Sequence, residues 1–419
     1  MSISRSFRRE TLAAACLAVA TLALTGCASF WTPITSTTTG GGGTGTDLVY
    51  AGKNGSSSFV GYSISTTSGV GGLTPVIGSP YSIGSPPLSM AITPSDNYLY
   101  IGTALGIYGY SIATGGQLTA LNSGAVVANS PIGLLNGPVS MDISPDGNWL
   151  AVLTPNISGT TTIYIYQIAS STGLLTSNYS SSFVPSASTA ISHTIKFSPN
   201  EGLLGVTMGT GGTLVFTFSS TAGTFSTSYT ALTPPSNLYS DNDVKFSAAS
   251  TTIFISRGGA ASDVFYYAIN PTTGAVTTCS CYITTGTNPT AISFNTATAA
   301  TQNYLYVVNS GNGTSVPGSI TGFPVSTNTT TNILTPGTSA LYNSPYSTIG
   351  YTPYAIAFDN DNLYMLVMNQ TGPPDLVEYF VDPTAATIGQ LYVAASVNTG
   401  LTTTVNTLPI SGMTMVTTH

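Results

Sequence analysis

The chain has 419 residues, of which 42% are hydrophobic and only 5% are charged. Disordered proteins show the opposite balance, and helical bundles use far more Glu, Lys, Leu and Ala, so neither class fits. Seven Lys and Arg residues stand against fourteen acids. These cations are too few to neutralise a row of phosphates, so no nucleic-acid partner is predicted.

Residues 1–26 are predicted to be a bacterial lipoprotein signal peptide. Three arginines within the first nine residues precede an apolar run from 12 to 24, which is too short to span a bilayer as a helix. The run ends in Leu-Thr-Gly-Cys, which resembles a lipobox, so we expect cleavage before Cys27 and lipid on this cysteine. The alternative is an ordinary signal peptide in which Cys27 is incidental.

Residues 27–47 are predicted to form a flexible tether, because they are rich in Ser, Thr and Gly. The tether would hold a folded body, residues 48–419, away from a membrane. Ala28 and Ser29 follow Cys27 without an Asp, and by resemblance to familiar lipoproteins this favours the outer membrane of a Gram-negative bacterium. We therefore expect an exported protein that is lipid-anchored in the cell envelope.

Residues 48–419 contain a repeat of about fifty residues. Each unit has a Pro, an alternating apolar strand, a turn rich in Pro, Asp and Asn, two Tyr-rich strands and a Thr-Gly step. The second strands of the units are anchored at Val49, Leu99, Leu150, Leu204, Ile253, Leu305 and Leu363. Four short strands at this period are typical of a propeller blade, so we predict an all-β, seven-bladed β-propeller of four-stranded antiparallel blades.

The ends of the repeat region predict how the ring closes. The first unit begins directly at its second strand, residues 48–52, and lacks a first strand. Residues 410–416 alternate like a first strand, so we expect this C-terminal strand to complete the first blade. Jelly rolls and stacked sandwiches are the alternative all-β folds, but neither explains six nearly equal steps.

Known catalytic motifs are missing from the sequence. It has no G-x-S-x-G elbow, no phosphate-binding glycine loop and only two histidines. We therefore predict no cofactor and no metal site, and we interpret the Asp-rich segments 241–243 and 359–362 as turns rather than calcium loops. Cys279 and Cys281 leave a local disulfide and two free thiols both open.

His193 is the histidine predicted to lie near the central channel. It occurs six residues before the turn proline of the fourth unit, and the same position in the next three units is held by Asn242, Thr290 and Tyr354. Since first strands line the channel of a propeller, the imidazole is placed to act as a base or as a hydrogen-bond donor to a ligand. The alternative is a structural histidine packed between blades.

Three charged residues share a second register, three positions before the same turn: Asp142, Lys196 and Lys245. Partly buried charges need partners, so we expect Asp142 and Asp243 to pair with Lys196 and Lys245 between blades. A ligand-binding role for the lysines is the alternative.

The repeat units, such as Ile-Ser-Pro-Asp-Gly at 143–147 and Tyr-Leu-Tyr-Val-Val-Asn at 304–309, resemble those of the seven-bladed propeller lactonases. This is the family of 6-phosphogluconolactonase and the muconate-lactonizing enzymes, and the resemblance covers residues 48–419. In these enzymes a histidine opens a first strand, and His193 matches that position. The family's other acidic, arginine and histidine positions correspond here to Met208, Gly212, Thr213, Asn242, Asp243, Gly258, Thr290, Ala291 and Ser310.

Two functions of different class follow from these observations. The first is a monomeric surface lipoprotein whose propeller binds a glycan, a peptide or another envelope protein. The second is a divergent lactonase that uses His193, with Arg257 or Glu201, on a neutral lactone. The candidate ligand-binding residues are Lys196, Asn242, Thr290 and Tyr354. Because the family's arginine clamps are missing and Arg257 alone remains, the sequence favours binding over catalysis.

Overall fold

A computed structural model of the chain shows seven small antiparallel sheets in a ring. The structure describes residues 47–65, 70–129, 137–185, 190–259, 262–277, 281–298, 301–312, 318–384, 387–404 and 412–419. The predicted signal peptide, Cys27 and nearly all of the predicted tether lie outside the described residues, as does Cys279.

Blades 1 to 3 follow one another along the first part of the chain. Blade 1 contains β1 (Leu48–Lys53), β2 (Ser58–Ile64), β3 (Leu73–Pro75) and β4 (Tyr81–Ser82). Blade 2 contains β5 (Ser89–Ile92), β6 (Tyr98–Thr103), β7 (Gly106–Ile112), β8 (Leu118–Ala120) and β9 (Ala128–Asn129). Blade 3 contains β10 (Ser140–Ile143), β11 (Trp149–Leu153), β12 (Thr161–Ile168) and β13 (Leu175–Phe183).

Blades 4 to 7 continue the same order. Blade 4 contains β14 (Thr194–Phe197), β15 (Leu203–Thr207), β16 (Thr213–Ser219) and β17 (Thr224–Leu232). Blade 5 contains β18 (Tyr239–Phe246), β19 (Thr252–Gly259), β20 (Asp263–Ala268) and β21 (Cys281–Thr284). Blade 6 contains β22 (Pro289–Thr298), β23 (Thr301–Asn309), β24 (Ser319–Thr327), β25 (Leu334–Pro336) and β26 (Tyr346–Ser347). Blade 7 contains β27 (Tyr351–Phe358), β28 (Tyr364–Thr371), β29 (Leu376–Val381) and β30 (Leu391–Val397), and the chain ends with β31 (Met413–Thr417).

Each blade has four strand positions from the channel outward. In blades 1, 2 and 6 the outermost position is divided into two short strands that pair with the same neighbour. The described residues contain one short 3-10 helix, Asn122–Gly124. Within the described ranges, no helix is long and apolar enough to cross a bilayer.

The last strand closes the ring. β31 pairs antiparallel with β1, from Val49 opposite Thr417 to Lys53 opposite Met413. It thereby supplies the inner strand that blade 1 lacks, and the predicted closure is confirmed. The inner strands then contact one another around the whole circle, in the order β31, β5, β10, β14, β18, β22, β27 and back to β31.

Hydrophobic side chains fill the spaces between neighbouring blades. Trp149 and Ile163 of blade 3, for example, belong to the same buried cluster as Phe197 and Phe216 of blade 4. Six of the seven predicted anchors lie in second strands and are fully buried, whereas Leu363 immediately precedes β28. The fifty-residue period therefore arises because each blade must cover the face of the next.

At three junctions a buried tyrosine forms a hydrogen bond with the following blade. Tyr50, Tyr100 and Tyr306 are fully buried in second strands. Each hydroxyl donates to the carbonyl of a turn glycine in the next blade, at distances of 2.6 to 2.7 Å, and these glycines are Gly116, Gly173 and Gly389. All three glycines have positive φ, which explains why the repeat has a Tyr-rich strand followed by a Thr-Gly step.

Polar groups also join the inner strands at each of the seven junctions. The junctions are bridged by Ser89 to Pro138, Asp142 to Phe197, Thr194 to Asn242, Asp243 to Ile292, Thr290 to Pro353, Thr417 to Phe358 and His419 to Asp96. In each of these hydrogen bonds a side chain meets a backbone group of an adjacent blade. A net contribution of about 1 kcal/mol for each bond makes this ring a substantial part of the stability.

Deletion of residues 409–419 is expected to lower the Tm by ~10 °C or more, because it removes β31 and opens blade 1. Circular dichroism melts of the full and shortened proteins test this expectation. A synthetic peptide of residues 409–419, added to the shortened protein, should restore part of the loss. Identical melting of the two proteins would contradict closure by β31.

Candidate functional site

The inner strands enclose two adjoining chambers. The upper chamber, at the start of the inner strands, has a volume of about 470 Å³. The lower chamber, at their end, has a volume of about 260 Å³. Lys196 and Lys245 line both chambers, so their level is called the waist of the channel.

Three successive inner strands have a β-bulge at the rim of the upper chamber. The register shifts at Asn242 in β18, at Thr290 in β22 and at Tyr354 in β27. A bulge leaves one residue unpaired and redirects its side chain, and bulges recur beside active sites. All three residues line the upper chamber, so the structure brings these ligand-binding candidates together.

His193 occupies the equivalent position in blade 4. Its N–H donates to the Thr207 carbonyl at 3.0 Å, while the next amide, of Thr194, donates to the Thr207 hydroxyl at 3.0 Å. Thr207 of β15 therefore accepts hydrogen bonds from two consecutive residues of the inner strand, and this arrangement resembles the bulges of blades 5 to 7. The His193 ring lines the upper chamber together with Lys196 and Tyr354.

The His193 imidazole is half-buried, and no described residue forms a hydrogen bond with it. Desolvation lowers the pKa of His193 to about 4. The ring is therefore neutral at physiological pH, with a nitrogen lone pair that can accept a proton or a hydrogen bond.

Lys196 forms the predicted ion pair across the junction of blades 3 and 4. Its Nζ lies 2.7 Å from Asp142 Oδ1, and the amide of Phe197 donates to Asp142 Oδ2 at 2.8 Å. Burial by itself lowers the pKa of Lys196, but the Asp142 carboxylate outweighs burial and raises it. Lys196 therefore stays charged at the waist.

The second predicted ion pair, Lys245 with Asp243, is not formed, so this prediction was wrong. The Asp243 carboxylate accepts hydrogen bonds from the amides of Val244 at 2.9 Å and Ile292 at 3.0 Å. Both oxygens are thus held by backbone groups. In the described part of the chain the side chain of Lys245 has neither an ion pair nor a hydrogen bond.

The two sides of the upper chamber differ in character. Blades 4 to 6 contribute mostly polar side chains, and blade 7 adds Tyr354. The wall formed by blades 1 to 3 is mainly apolar and includes Leu88, Met90, Val139, Met141, Met413 and Met415. The chamber is therefore suited to a small molecule with one hydrogen-bonding edge and one apolar face.

Arg257 does not reach either chamber. Its guanidinium is 1% exposed, forms a two-pronged ion pair with both oxygens of Asp241, and lies 4.1 Å from the centre of the Phe265 ring. The Thr213 hydroxyl also donates to Asp241, at 2.8 Å. This arginine is therefore fully engaged inside blade 5.

Glu201 is remote from His193. It lies in the turn between β14 and β15, and Oε1 accepts a hydrogen bond from the Asp146 amide. His193 lies at the opposite end of β14, four residues before the last strand residue, a separation of about 13 Å along the strand. The structure therefore places the three catalytic candidates in three different locations.

The Asp-rich segments show turn contacts at 359–362 and strand contacts at 241–243. Asp359 Oδ1 accepts from the Tyr364 amide at 2.9 Å. Asp241 and Asp243 lie in β18, so the turn predicted at 241–243 was wrong. Among the described residues, no group of three or more His, Cys, Asp or Glu side chains could hold a metal ion. Cys281 is disulfide-bonded, so it is not a free thiol.

Sequence reasoning missed Asn288, which also lines the upper chamber. Its φ is +56°, and its Nδ2 donates to the Ser310 hydroxyl at 2.7 Å. The Asn-Pro step at 288–289 is a turn signal that could have indicated this residue. The unpaired state of Lys245 had no such signal, because it depends on the positions of Asp142 and Asp243.

Comparison with protein families gives one match. The family model described as lactonase, 7-bladed beta-propeller, matches residues 45–317, which is more than half of the chain. No curated protein matches at a significant level.

Several solved structures are similar over most of the chain. A putative 6-phosphogluconolactonase from Bacteroides uniformis is 14% identical, with a TM-score of 0.63, covering 84% of this chain and 97% of that chain. The periplasmic gluconolactonase of Pseudomonas aeruginosa is 15% identical, with a TM-score of 0.62, covering 89% and 99%. A protein from Lactobacillus plantarum is 18% identical, with a TM-score of 0.63, covering 89% and 100%. At these identities the likeness shows the fold alone.

The buried ion pair of Arg257 and Asp241 is expected to stabilise the folded protein. Arg257→Met leaves the Asp241 carboxylate buried without its cation, which should cost about 3–5 kcal/mol. Urea unfolding of the variant measures this loss, and the double variant Arg257→Met/Asp241→Leu should recover part of it. An unchanged free energy of unfolding in Arg257→Met would contradict the structural role.

Proposed function

Because the chain belongs to the seven-bladed β-propeller lactonase family, we propose that it hydrolyses an uncharged lactone in the upper chamber, with His193 as the general base. The observation that carries this proposal is the convergence of a neutral, unpaired imidazole with three bulge residues, Asn242, Thr290 and Tyr354, on one chamber.

His193 supplies the base of the reaction. A ring nitrogen accepts a proton from a water molecule, and the resulting hydroxide attacks the lactone carbonyl carbon. The tetrahedral intermediate then breaks the bond to the ring oxygen, and the proton on His193 passes to that oxygen. The product is an open hydroxy acid, and the imidazole returns to its neutral form.

Two donors line the same chamber and can stabilise the oxyanion of the intermediate. Lys196 keeps its charge through Asp142. Burial raises the pKa of the Tyr354 phenol, although a hydrogen bond with Ser310 lowers it in part. Tyr354 therefore stays protonated at neutral pH and can donate a hydrogen bond as negative charge develops.

The charges around the waist favour an uncharged substrate. Lys196 is paired with Asp142, Asp243 lines the upper chamber beside Lys245, and Arg257 is occupied by Asp241. No surplus of positive charge is therefore available for a phosphate group. A gluconolactonase from the periplasm of Pseudomonas aeruginosa has the same fold, which supports a lactone substrate for an exported protein of this kind.

A second candidate function is non-catalytic binding of a glycan, a peptide or an envelope protein. The observation in its favour is that the side chains of Asn242 and Thr290 are already engaged. Asn242 Nδ2 donates to the Pro289 carbonyl at 2.7 Å, and the Thr290 hydroxyl lies 3.0 Å from the Pro353 carbonyl. The rim would then serve as a rigid recognition surface without chemistry.

We also propose that the protein works in the cell envelope as a lipid-anchored monomer. The support is the arginine-flanked apolar run followed by Leu-Thr-Gly-Cys at 24–27 and a Ser, Thr and Gly-rich segment after it.

The lactonase proposal predicts turnover of an uncharged lactone such as glucono-δ-lactone, measured by acid release in a pH-stat. His193→Ala should lower kcat/KM by at least ~100-fold, because the general base is lost. His419→Ala, which alters the other histidine, should keep activity. Equal rates in His193→Ala and the parent would contradict the proposal, and no turnover combined with binding on a glycan array would favour the second function.

The pH profile provides a separate test. Because desolvation lowers the pKa of His193 to about 4, the base is protonated and inactive only in acid. We expect kcat/KM to rise through pH 4 and to be level from pH 5.5 to 7. A rise centred near 6.5, the ordinary value for histidine, would contradict a desolvated base.

The anchor predicts that a clickable palmitate analogue labels the chain in bacterial cells, because the lipobox cysteine is acylated. Cys27→Ser should abolish the label and release the protein from the membrane fraction. Equal labelling of Cys27→Ser would exclude lipid on Cys27.

A further inference from the structure

Lys245 differs from the other two lysines of the chain. The sequence contains three lysines, Lys53, Lys196 and Lys245. Lys53 Nζ lies 2.8 Å from Asp375, and Lys196 Nζ lies 2.7 Å from Asp142. Within the described ranges, Lys245 alone among them has no ion pair. A lysine inside a channel without a carboxylate partner is poorly stabilised as an ammonium ion.

The surroundings of Lys245 at the waist are mostly uncharged. The side chains of the lower chamber at this level come from Ala91, Asp142, Lys196, Ser293, Ala357 and Val416. The charged groups that face Lys245 are thus Lys196 on the neighbouring inner strand, Asp142 beyond it, and Asp243 on its own strand. His419 lies at the far end of the lower chamber, where its ring contacts Asp96.

These surroundings favour the neutral amine. Burial lowers the pKa of Lys245 and the adjacent Lys196 ammonium lowers it further, while Asp243 and Asp142 offset only part of the effect. Asp243 is weakened as a partner because two backbone amides already bind its oxygens. A lysine that is desolvated and next to another cation is the usual form of a nucleophilic amine.

We propose that Lys245 is a carbonyl-binding site, which captures a small aldehyde as an imine at the waist of the channel. An aldehyde is uncharged and electrophilic, so it can bind at the waist without a counter-ion. Its alkyl part can lie against Ile356, Met415 and Val416, which line both chambers. The lower chamber, of about 260 Å³, limits the ligand to a few carbon atoms.

The step balances without an oxidant or a reductant. The amine nitrogen attacks the carbonyl carbon to form a carbinolamine, and a proton moves from nitrogen to oxygen. The carbon–oxygen bond then breaks, and the oxygen leaves as water while the second amine proton is lost. One aldehyde and one amine therefore give one imine and one water, and hydrolysis reverses the step.

The proposal is tested with propanal and sodium cyanoborohydride at pH 7, followed by peptide mapping of the three lysines by mass spectrometry. The hydride reduces the imine and leaves a stable propyl group on the labelled lysine. Lys245 is expected to be labelled at least ~10-fold faster than Lys53 and Lys196, because those two amines are held in ion pairs and its own is not. The two paired lysines serve as internal references, so no variant is needed for this comparison.

Two controls separate the site from general reactivity. In 8 M urea the three lysines should be labelled at similar rates, since the advantage of Lys245 depends on the fold. His193→Ala should be labelled like the parent protein, so loss of lactone turnover and loss of aldehyde capture can be told apart. Labelling of Lys245 in the folded protein no faster than that of Lys53 would overturn the proposal.

Discussion

The antiparallel pairing of β31 with β1 is the interaction on which the rest of the structure depends. Each blade is a small sheet that cannot bury both faces, so every blade needs a neighbour on each side. Blade 1 obtains its inner strand only from the C-terminal segment. Once this strand is in place, all seven inner strands contact one another in a circle, and the two chambers acquire a continuous wall.

The low charge of the chain is reflected in how the blades are joined. Hydroxyl and amide groups make many of the hydrogen bonds between blades, as in the tyrosine hydroxyls that donate to turn glycines. Two of the few cations form ion pairs between neighbouring blades: Lys53 joins blades 1 and 7, and Lys196 joins blades 4 and 3. Ser, Thr and Tyr therefore carry the role that ion pairs have in more charged proteins.

The site follows from departures from this regular pattern. A uniform inner strand would point alternate side chains at the channel, but the bulges at Asn242, Thr290 and Tyr354 add a further side chain at the rim. The same level in blade 4 holds His193, and desolvation keeps its ring neutral. Polar chemistry is thus concentrated on one side of the upper chamber, opposite a wall rich in Met and aliphatic residues.

The sequence by itself determined the number of blades and the closure by the last strand. It also determined that His193, Asn242, Thr290 and Tyr354 lie at the same level of the channel. These features depend on a period and a register that are visible along the chain. It also indicated the pairing of Lys196 with Asp142. Only the tertiary structure decided that Arg257 is buried against Asp241, that Glu201 lies at the other end of β14, and that Asp243 bonds to the amide of Ile292 instead of to Lys245. The contacts of Glu201 and Asp243 join residues of neighbouring blades that are 55 and 49 positions apart in the chain, and the bulge at Asn242 sets the register of Asp241, so no local pattern records these outcomes.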